Sequence, residues 1–206
     1  MVKVKICGLQ SLRDVEYVNM AAPEYAGFVF AKSRRQVTIK RAEEMRKVLS
    51  PEIEAVGVFV NEEIQVVAEI CNRNIIQLIQ LHGEESKEYV EQLRKLVDVP
   101  IIKAVRVRGV DDIKSALELV PTYLLVDSFL EGVYGGTGKP FDVTLLPEMS
   151  QSFFLAGGLH EGNVEELVRK VHPYCVDVSS GVETDGRKDY EKIVRFISTV
   201  RNIGGI

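Results

Sequence analysis

Short apolar runs alternate along the chain with segments of helical periodicity. Eight runs rich in Val, Ile and Phe have strand-like lengths and lie near residues 2–7, 25–30, 55–60, 75–82, 100–107, 123–127, 153–156 and 175–180. Between several of them, apolar residues recur with i, i+3, i+4, i+7 spacing, which is typical of a helix with one buried face. The four clearest sets are Ile64, Val67, Ala68 and Cys71; Ile113, Ala116, Leu117 and Val120; Val164, Leu167, Val168 and Val171; and Tyr190, Ile193, Val194 and Ile197.

Two helix starts are also indicated by polar residues. Ser11 to Asp14 has the pattern of a capping box, and Asn61 stands immediately before Glu62 and Glu63. The strands repeat about every 25 residues, which is close to the length of a compact strand–helix unit. We therefore expect strands and helices to alternate through the whole chain.

Strict alternation requires parallel strands joined by helical crossovers. Eight such units predict the α/β class, with residues 1–206 forming a single-domain (β/α)8 TIM barrel of eight parallel strands. An open doubly wound sheet is the alternative. Its glycine-rich dinucleotide fingerprint is missing, because the first strand is followed by Cys7-Gly8-Leu9-Gln10. The barrel is therefore favoured.

Composition excludes several classes of protein. The 206 residues carry a formal net charge of -4 without a block of like charges, which argues against a nucleic-acid partner. No apolar stretch approaches the roughly 18 residues of a membrane span, and the alternating N-terminus does not resemble a signal peptide. Three widely spaced cysteines do not suggest disulfides. We expect a cytoplasmic protein that does not contact membranes.

Active sites of TIM barrels lie at the carboxyl ends of the strands, where this chain places polar and glycine residues. Alternation along strands puts Lys3, Lys5 and Cys7 on one face, and likewise Gln80 with His82. Cys175, Asp177 and Ser179 share a face in the same way. We expect Lys5 and Asp177 to satisfy each other inside the barrel. The strand ends are Cys7-Gly8, Lys32 to Arg35, Asn61, Gln80 to Gly83, Arg106, Asp127-Ser128, Gly157-Gly158 and Ser179 to Gly181.

Two glycine turns follow the seventh and eighth strands, where barrels commonly bind phosphate. Glycine lets backbone N–H groups approach an anion closely. Because the turns at Gly157-Gly158 and Ser180-Gly181 both stand in the expected places, we predict a phosphate site there.

The longer glycine-rich connection from Ser128 to Pro140 does not fit a nucleotide-binding loop. Val133 stands where the first glycine is required, and Pro140 stands where Ser or Thr must follow Lys139. This connection is better interpreted as a flexible cover for the site.

The histidines and cysteines give no metal-binding spacing, so we expect no metal. His172 is interpreted as structural, and His82 as a ligand contact or part of the barrel interior. Cys71 and Cys175 are interpreted as small core residues. Only Cys7 has a position that suggests chemistry.

Several short motifs occur in order along nearly the whole chain. They are Val4-Lys5-Ile6-Cys7-Gly8, Gly27-Phe28-Val29-Phe30 with Ser33-Arg34-Arg35, Gly57-Val58-Phe59-Val60-Asn61, Gln80-Leu81-His82-Gly83, Leu125-Val126-Asp127, Gly135 to Asp142, Gly157-Gly158-Leu159 with Asn163-Val164, and Val176 to Glu183. Together these motifs resemble those of the phosphoribosylanthranilate isomerase family of tryptophan biosynthesis. Each is weak alone, whereas their conjunction is highly specific.

The resemblance implies a cofactor-free Amadori rearrangement of N-(5-phosphoribosyl)anthranilate to 1-(o-carboxyphenylamino)-1-deoxyribulose 5-phosphate. It implies that Asp127 is the general acid, that Cys7 is the general base and that Arg35 binds the anthranilate carboxylate, with Arg34 as the alternative. Gln80 and His82 are further predicted substrate contacts. The backbone of Gly157, Gly158, Ser180 and Gly181 is predicted to hold the phosphate. The implied partner is a small phosphorylated substrate, bound by a monomer or homodimer.

Two other functions remain as alternatives. One is a non-catalytic barrel that binds a phosphosugar, which the fold alone does not exclude. The other is a metal-dependent sugar-phosphate epimerase, whose set of His and Asp ligands is missing here, since the second strand ends in Phe30-Ala31. Indole-glycerol-phosphate synthase chemistry is less compatible, because it would require lysine and glutamate at the strand ends.

Overall fold

A closed barrel of eight parallel strands forms the centre of the molecule. The computed structural model describes residues 1–107, 110–127 and 152–203. Each strand pairs with the next along the chain, and β8 pairs with β1 with Lys5 opposite Asp177. Closure excludes the open doubly wound sheet and confirms the predicted barrel. The strands are β1 (Lys3–Cys7), β2 (Tyr25–Val29), β3 (Glu54–Phe59), β4 (Leu78–Leu81), β5 (Ile101–Arg106), β6 (Tyr123–Asp127), β7 (Phe153–Ala156) and β8 (Cys175–Val178).

Seven α-helices surround the barrel within the described ranges. A single 3₁₀ turn (Ser180–Val182) and a short hairpin of β9 (Glu183–Thr184) and β10 (Arg187–Lys188) lie between β8 and the last helix. In these ranges no helix has the length and apolar character needed to cross a membrane. The predicted cover, Ser128 to Pro140, lies outside the described residues. The helices are α1 (Leu12–Ala21), α2 (Ile39–Val48), α3 (Ile64–Asn72), α4 (Lys87–Leu93), α5 (Val110–Leu117), α6 (Val164–Val171) and α7 (Tyr190–Asn202).

One of the two predicted helix starts is correct. Ser11 caps α1, its hydroxyl accepting from the Asp14 N–H while the Asp14 carboxylate accepts from the Ser11 N–H. Asn61 is not a cap, because α3 begins three residues later and Asn61 has a left-handed φ of 50°. Its side-chain oxygen instead accepts from the backbone N–H of Glu84. Asn61 therefore ties the loop after β3 to the loop after β4.

Most of the predicted apolar helical positions are buried against the strands. Val67, Ala68 and Cys71 of α3 are buried, as are Val164 and Val168 of α6. Two predicted positions are exposed. Tyr190 is 36% exposed at the start of α7, and Val120 is 66% exposed with a left-handed φ of 50°, because α5 ends at Leu117. A periodic pattern does not reveal where the chain leaves the helix.

The inside of the barrel differs between its two ends. Its lower part is apolar and aromatic, with Phe154 packed against the rings of Tyr25, Tyr123 and Tyr174 at centroid distances of 5.5, 5.5 and 5.8 Å. Cys175 is fully buried in this region, as predicted for a core residue. Above it lie the buried polar side chains of Lys5, Gln80 and Asp177. The polar end of the interior is the end at which the strands terminate.

We predict that Phe154→Ala lowers the free energy of unfolding by about 3–5 kcal/mol, because it opens a cavity beneath the polar layer. Phe154 is fully buried. Equilibrium urea denaturation measures the change, with Val120→Ala as the control at an exposed apolar position. A loss under about 1 kcal/mol would show that the lower layer does not support the barrel.

Candidate active site

Cys7 is the last residue of β1 and faces the barrel mouth with 9% of its surface exposed. Its partner in register on β2 is Gly27, where a Cβ atom would lie 2.7 Å from the Cys7 sulfur. Glycine at this position therefore makes room for the thiol. Burial raises the pKa of Cys7, and the nearby ammonium groups of Lys5 and Lys188 only partly oppose that effect.

A continuous chain of polar contacts crosses the interior beside Cys7. The Lys5 ammonium donates to Asp177 Oδ2 and to Gln80 Oε1, both at 2.7 Å. Gln80 Nε2 lies 2.9 Å from His82 Nδ1, and His82 Nε2 lies 3.7 Å from Asp127 Oδ2. The contact between Lys5 and Asp177 confirms the predicted pairing. The contact between Gln80 and His82 confirms that they share one face of β4.

Elementary hydrogen-bond chemistry gives this chain a direction. An ammonium group only donates, so Gln80 must turn its oxygen toward Lys5 and its NH₂ group toward His82. His82 Nδ1 therefore accepts, and a neutral His82 ring carries its proton on Nε2. That N–H faces the Asp127 carboxyl group. Because Lys5 orients the Gln80 amide, it determines that His82 presents its Nε2–H to Asp127.

Asp127 is the last residue of β6 and lies at the same rim of the barrel as Cys7. Its neighbours in register are Arg106 on β5 and Ala156 on β7. The Asp127 side chain is 18% exposed, and β7 and β8 separate it from β1. A thiol and a carboxyl group thus face one mouth from different sides. This arrangement allows them to act on different atoms of one bound molecule.

A second charged cluster lies where the loop after β2 meets the hairpin after β8. Arg35 donates from Nε to Glu183 Oε1 at 2.7 Å and from Nη2 to Oε2 at 2.9 Å. Lys188 and Arg34 contact the same carboxylate at 2.9 and 3.1 Å. Although burial opposes the charged form, these cations hold the pKa of Glu183 at about 2. The carboxylate therefore stays ionised and fixes the Arg35 guanidinium.

Sequence reasoning assigned no role to Glu183 or Lys188. They stand opposite each other in the antiparallel pairing of β9 with β10. The loop between these strands is Asp185-Gly186, and both residues have positive φ, 51° and 75°. An Asp-Gly pair is a strong hairpin signal, so the turn and the cross-strand pair were available from the sequence.

The two predicted glycine turns lie against each other at the rim. Gly157 and Gly158 have φ values of 94° and 62°, a region that glycine enters without strain. A Cβ atom on Gly158 would meet nothing within 4 Å, whereas one on Gly181 would collide with the carbonyl oxygen of Leu159. Gly181 therefore permits the close approach of the turns. Ser180, which is exposed, begins the 3₁₀ turn between them and the hairpin.

All nine predicted site residues thus occupy the same end of the barrel. Cys7, Gln80, His82 and Asp127 line the interior side, while Arg35 and the two turns form the rim. Gln80 is 2% exposed with both polar atoms engaged, so it contacts a ligand only through His82. Across the residues that the structure describes, no three His, Cys, Asp or Glu side chains are grouped to hold a metal ion.

Comparison with known proteins agrees with the motifs at this rim. The family model for N-(5′-phosphoribosyl)anthranilate isomerase matches residues 4–199. A protein of that name from Lachnoclostridium phytofermentans is 48% identical, and the similarity covers 95% of each chain. The crystal structure of phosphoribosyl anthranilate isomerase from Thermotoga maritima is 36% identical, with a TM-score of 0.86 over 100% of both chains.

Another solved structure is a complex of phosphoribosyl anthranilate isomerase with reduced 1-(o-carboxyphenylamino)-1-deoxyribulose 5-phosphate. It is 33% identical, with a TM-score of 0.83, and covers 100% of both chains. The family model spans nearly all of the chain, and the sequence relative exceeds 40% identity. The chain belongs to the N-(5′-phosphoribosyl)anthranilate isomerase family.

Proposed function

We propose that the chain converts N-(5′-phosphoribosyl)anthranilate to 1-(o-carboxyphenylamino)-1-deoxyribulose 5-phosphate, an aldose-to-ketose rearrangement, with Asp127 as acid and Cys7 as base. The observation that carries the proposal is the placement of these two groups on different strands around one mouth, beside two glycine turns. The reaction needs a proton transfer to the ring oxygen and another from C2′, two atoms of one sugar that are both bonded to C1′. It moves a hydrogen within the substrate, so the balance needs no external oxidant or reductant.

Asp127 acts in the first step by protonating the furanose ring oxygen. The C1′–O bond breaks, the anthranilate nitrogen supplies the electron pair, and an open-chain Schiff base forms. The Asp127 carboxylate that remains faces the Nε2–H of His82, whose Nδ1 is occupied by Gln80. A hydrogen-bond donor at this position stabilises the charge that develops on the acid.

Cys7 acts in the second step by removing the proton from C2′. The electron pair of that bond forms the enolamine, and the nitrogen of the Schiff base accepts the displaced pair. The enolamine then tautomerises to the ketone. Only the thiolate is a competent base, so the charges around Cys7 control this step.

Arg35 binds the anthranilate carboxylate without giving up its own partner. A guanidinium has five N–H donors, and Glu183 engages one on Nε and one on Nη2. The three remaining donors lie on Nη1 and Nη2, and they form the fork that suits a second carboxylate. Glu183 thereby positions Arg35 before substrate arrives. The backbone N–H groups of Gly157, Gly158, Ser180 and Gly181 hold the phosphate at the turns after β7 and β8.

Turnover is the first test of the proposal. Purified protein mixed with freshly made phosphoribosylanthranilate is expected to abolish anthranilate fluorescence, without added metal and with a chelator present. No metal should be needed, because proton transfers between side chains and the sugar complete the reaction. Saturable binding without turnover would support a non-catalytic barrel. Activity that the chelator removes would favour the metal-dependent epimerase class.

Substitution of the acid and the base tests their roles separately. We expect Asp127→Asn to lower kcat by about 10²–10⁴-fold, since an amide cannot serve as the acid. Cys7→Ser is expected to be as severe, because a hydroxyl rarely ionises near neutral pH. Cys71→Ser, at a buried cysteine on α3, is the control for general damage. A fall of less than about tenfold would remove the substituted residue from its proposed role.

Two neighbouring arginines provide a matched pair for the carboxylate contact. Arg35→Ala is expected to raise KM roughly tenfold to a hundredfold with a smaller change in kcat, since a charged hydrogen-bonded contact is lost. Arg34→Ala is expected to have a much smaller effect, because its side chain is 66% exposed and makes one bond to Glu183. Steady-state kinetics distinguishes them. The reverse order would assign the carboxylate to Arg34.

A further inference from the structure

Lys5 is an ammonium group buried in the barrel interior, with none of its surface exposed. Two of its three N–H donors bind Asp177 Oδ2 and Gln80 Oε1. Lys5 also stands two residues before Cys7 on the same face of β1, and the two side chains interact electrostatically. A positive charge thus lies directly beneath the proposed base.

Stability alone does not explain this charge. Replacing a buried ion pair by apolar side chains of similar volume is often neutral or stabilising, so a barrel interior does not need one. The Asp177 carboxylate is also incompletely satisfied, because its Oδ1 is buried with no hydrogen-bond partner among the described residues. Asp177 therefore depends on Lys5. The ammonium, by contrast, also lies beneath the Cys7 thiol on the same face of β1.

We propose that Lys5 is a positioning residue of the isomerase reaction, whose buried ammonium stabilises the Cys7 thiolate from below. Lys5 does not touch the substrate and acts through Cys7. This inference rests on the proposed function, since it matters for turnover only if Cys7 is the base. It adds an electrostatic role to the pairing of Lys5 with Asp177.

The charges around Cys7 act in opposite directions. Lys5 from β1 and Lys188 from β10 favour the thiolate, and Arg35 from the loop after β2 also interacts with it. Asp177 from β8 disfavours the thiolate, as does burial. On β2, the neighbour of Cys7 is Gly27, which has no side chain. Removing Lys5 and removing the charge of Asp177 should therefore move the titration of Cys7 in opposite directions.

The test measures the rate of Cys7 alkylation by iodoacetamide against pH. Mass spectrometry of the Cys7 peptide separates this signal from the buried Cys71 and Cys175. Lys5→Met is expected to move the titration up by about one to three pH units, the usual effect of a nearby opposite charge. Asp177→Asn is expected to move it down. Loss of packing alone does not produce shifts of opposite sign.

Two further variants keep the test decisive if Lys5→Met does not fold. The double variant Lys5→Met with Asp177→Asn leaves no unpaired charge, and we expect a net upward shift, because Lys5 lies on the same strand face as Cys7, whereas Asp177 lies on β8 in register with Lys5. The pair of Lys103 and Glu85, joined at 2.6 Å, is the matched control. Lys103→Met with Glu85→Gln removes a buried ion pair elsewhere and should leave the Cys7 titration unchanged.

An unchanged or lowered titration in the double variant would overturn the proposal. When assayed for turnover, Lys5→Met and the double variant should show the alkaline shift in the rising limb of kcat against pH. If Cys7→Ser retained activity while the alkylation titration still shifted, the coupling of Lys5 to Cys7 would stand and the proposed base would be wrong. If Cys7→Ser were inactive and the titration did not move, the role of Lys5 alone would fail.

Discussion

The buried charge of Lys5 is the constraint from which the upper half of the barrel interior follows. An ammonium without solvent must have acceptors on every side, and here β8 and β4 supply them at 2.7 Å. Satisfying Lys5 fixes the orientation of the Gln80 amide, and this orientation fixes which nitrogen of His82 is protonated. The Lys5 charge thus lies beside Cys7 on β1 and is linked by hydrogen bonds through Gln80 to His82, which faces Asp127 on β6. One buried charge therefore influences the surroundings of both proposed catalytic groups.

This polar layer is stable only because the layer below it excludes water. Aromatic rings of Tyr25, Tyr123, Phe154 and Tyr174 fill the lower barrel and leave the polar side chains open only toward the mouth. In such surroundings each contact is stronger than in water, and each unmade contact costs more. The arrangement therefore favours one geometry of Lys5, Gln80 and His82 over alternatives. A rigid layer of this kind suits two groups that must transfer protons at defined atoms.

The sequence predicted the strands better than the connections between them. Eight apolar runs and period-two alternation were sufficient for the barrel and for the shared faces of Lys5 with Cys7 and of Gln80 with His82. The prediction that Asn61 caps a helix was wrong, because its side chain binds the backbone of Glu84 in the loop after β4. These two residues are distant in sequence. Alternation also does not reveal that Glu183 reaches Arg35, since 148 residues separate them. Such contacts depend on how the barrel closes, which local patterns do not encode.

The charge balance at the rim supports the proposed binding of an anionic substrate by a chain of net charge -4. Arg34, Arg35 and Lys188 surround the single carboxylate of Glu183, so the cluster is positive overall. Glu183 removes part of that charge, yet without it three cations would repel one another and Arg35 would lose its fixed orientation. The turns proposed to hold the phosphate differ, because glycine backbone supplies donors with no side-chain charge. In the proposed function, a substrate with a carboxylate at one end and a phosphate at the other meets two distinct anion sites, and only one orientation satisfies the fork of Arg35.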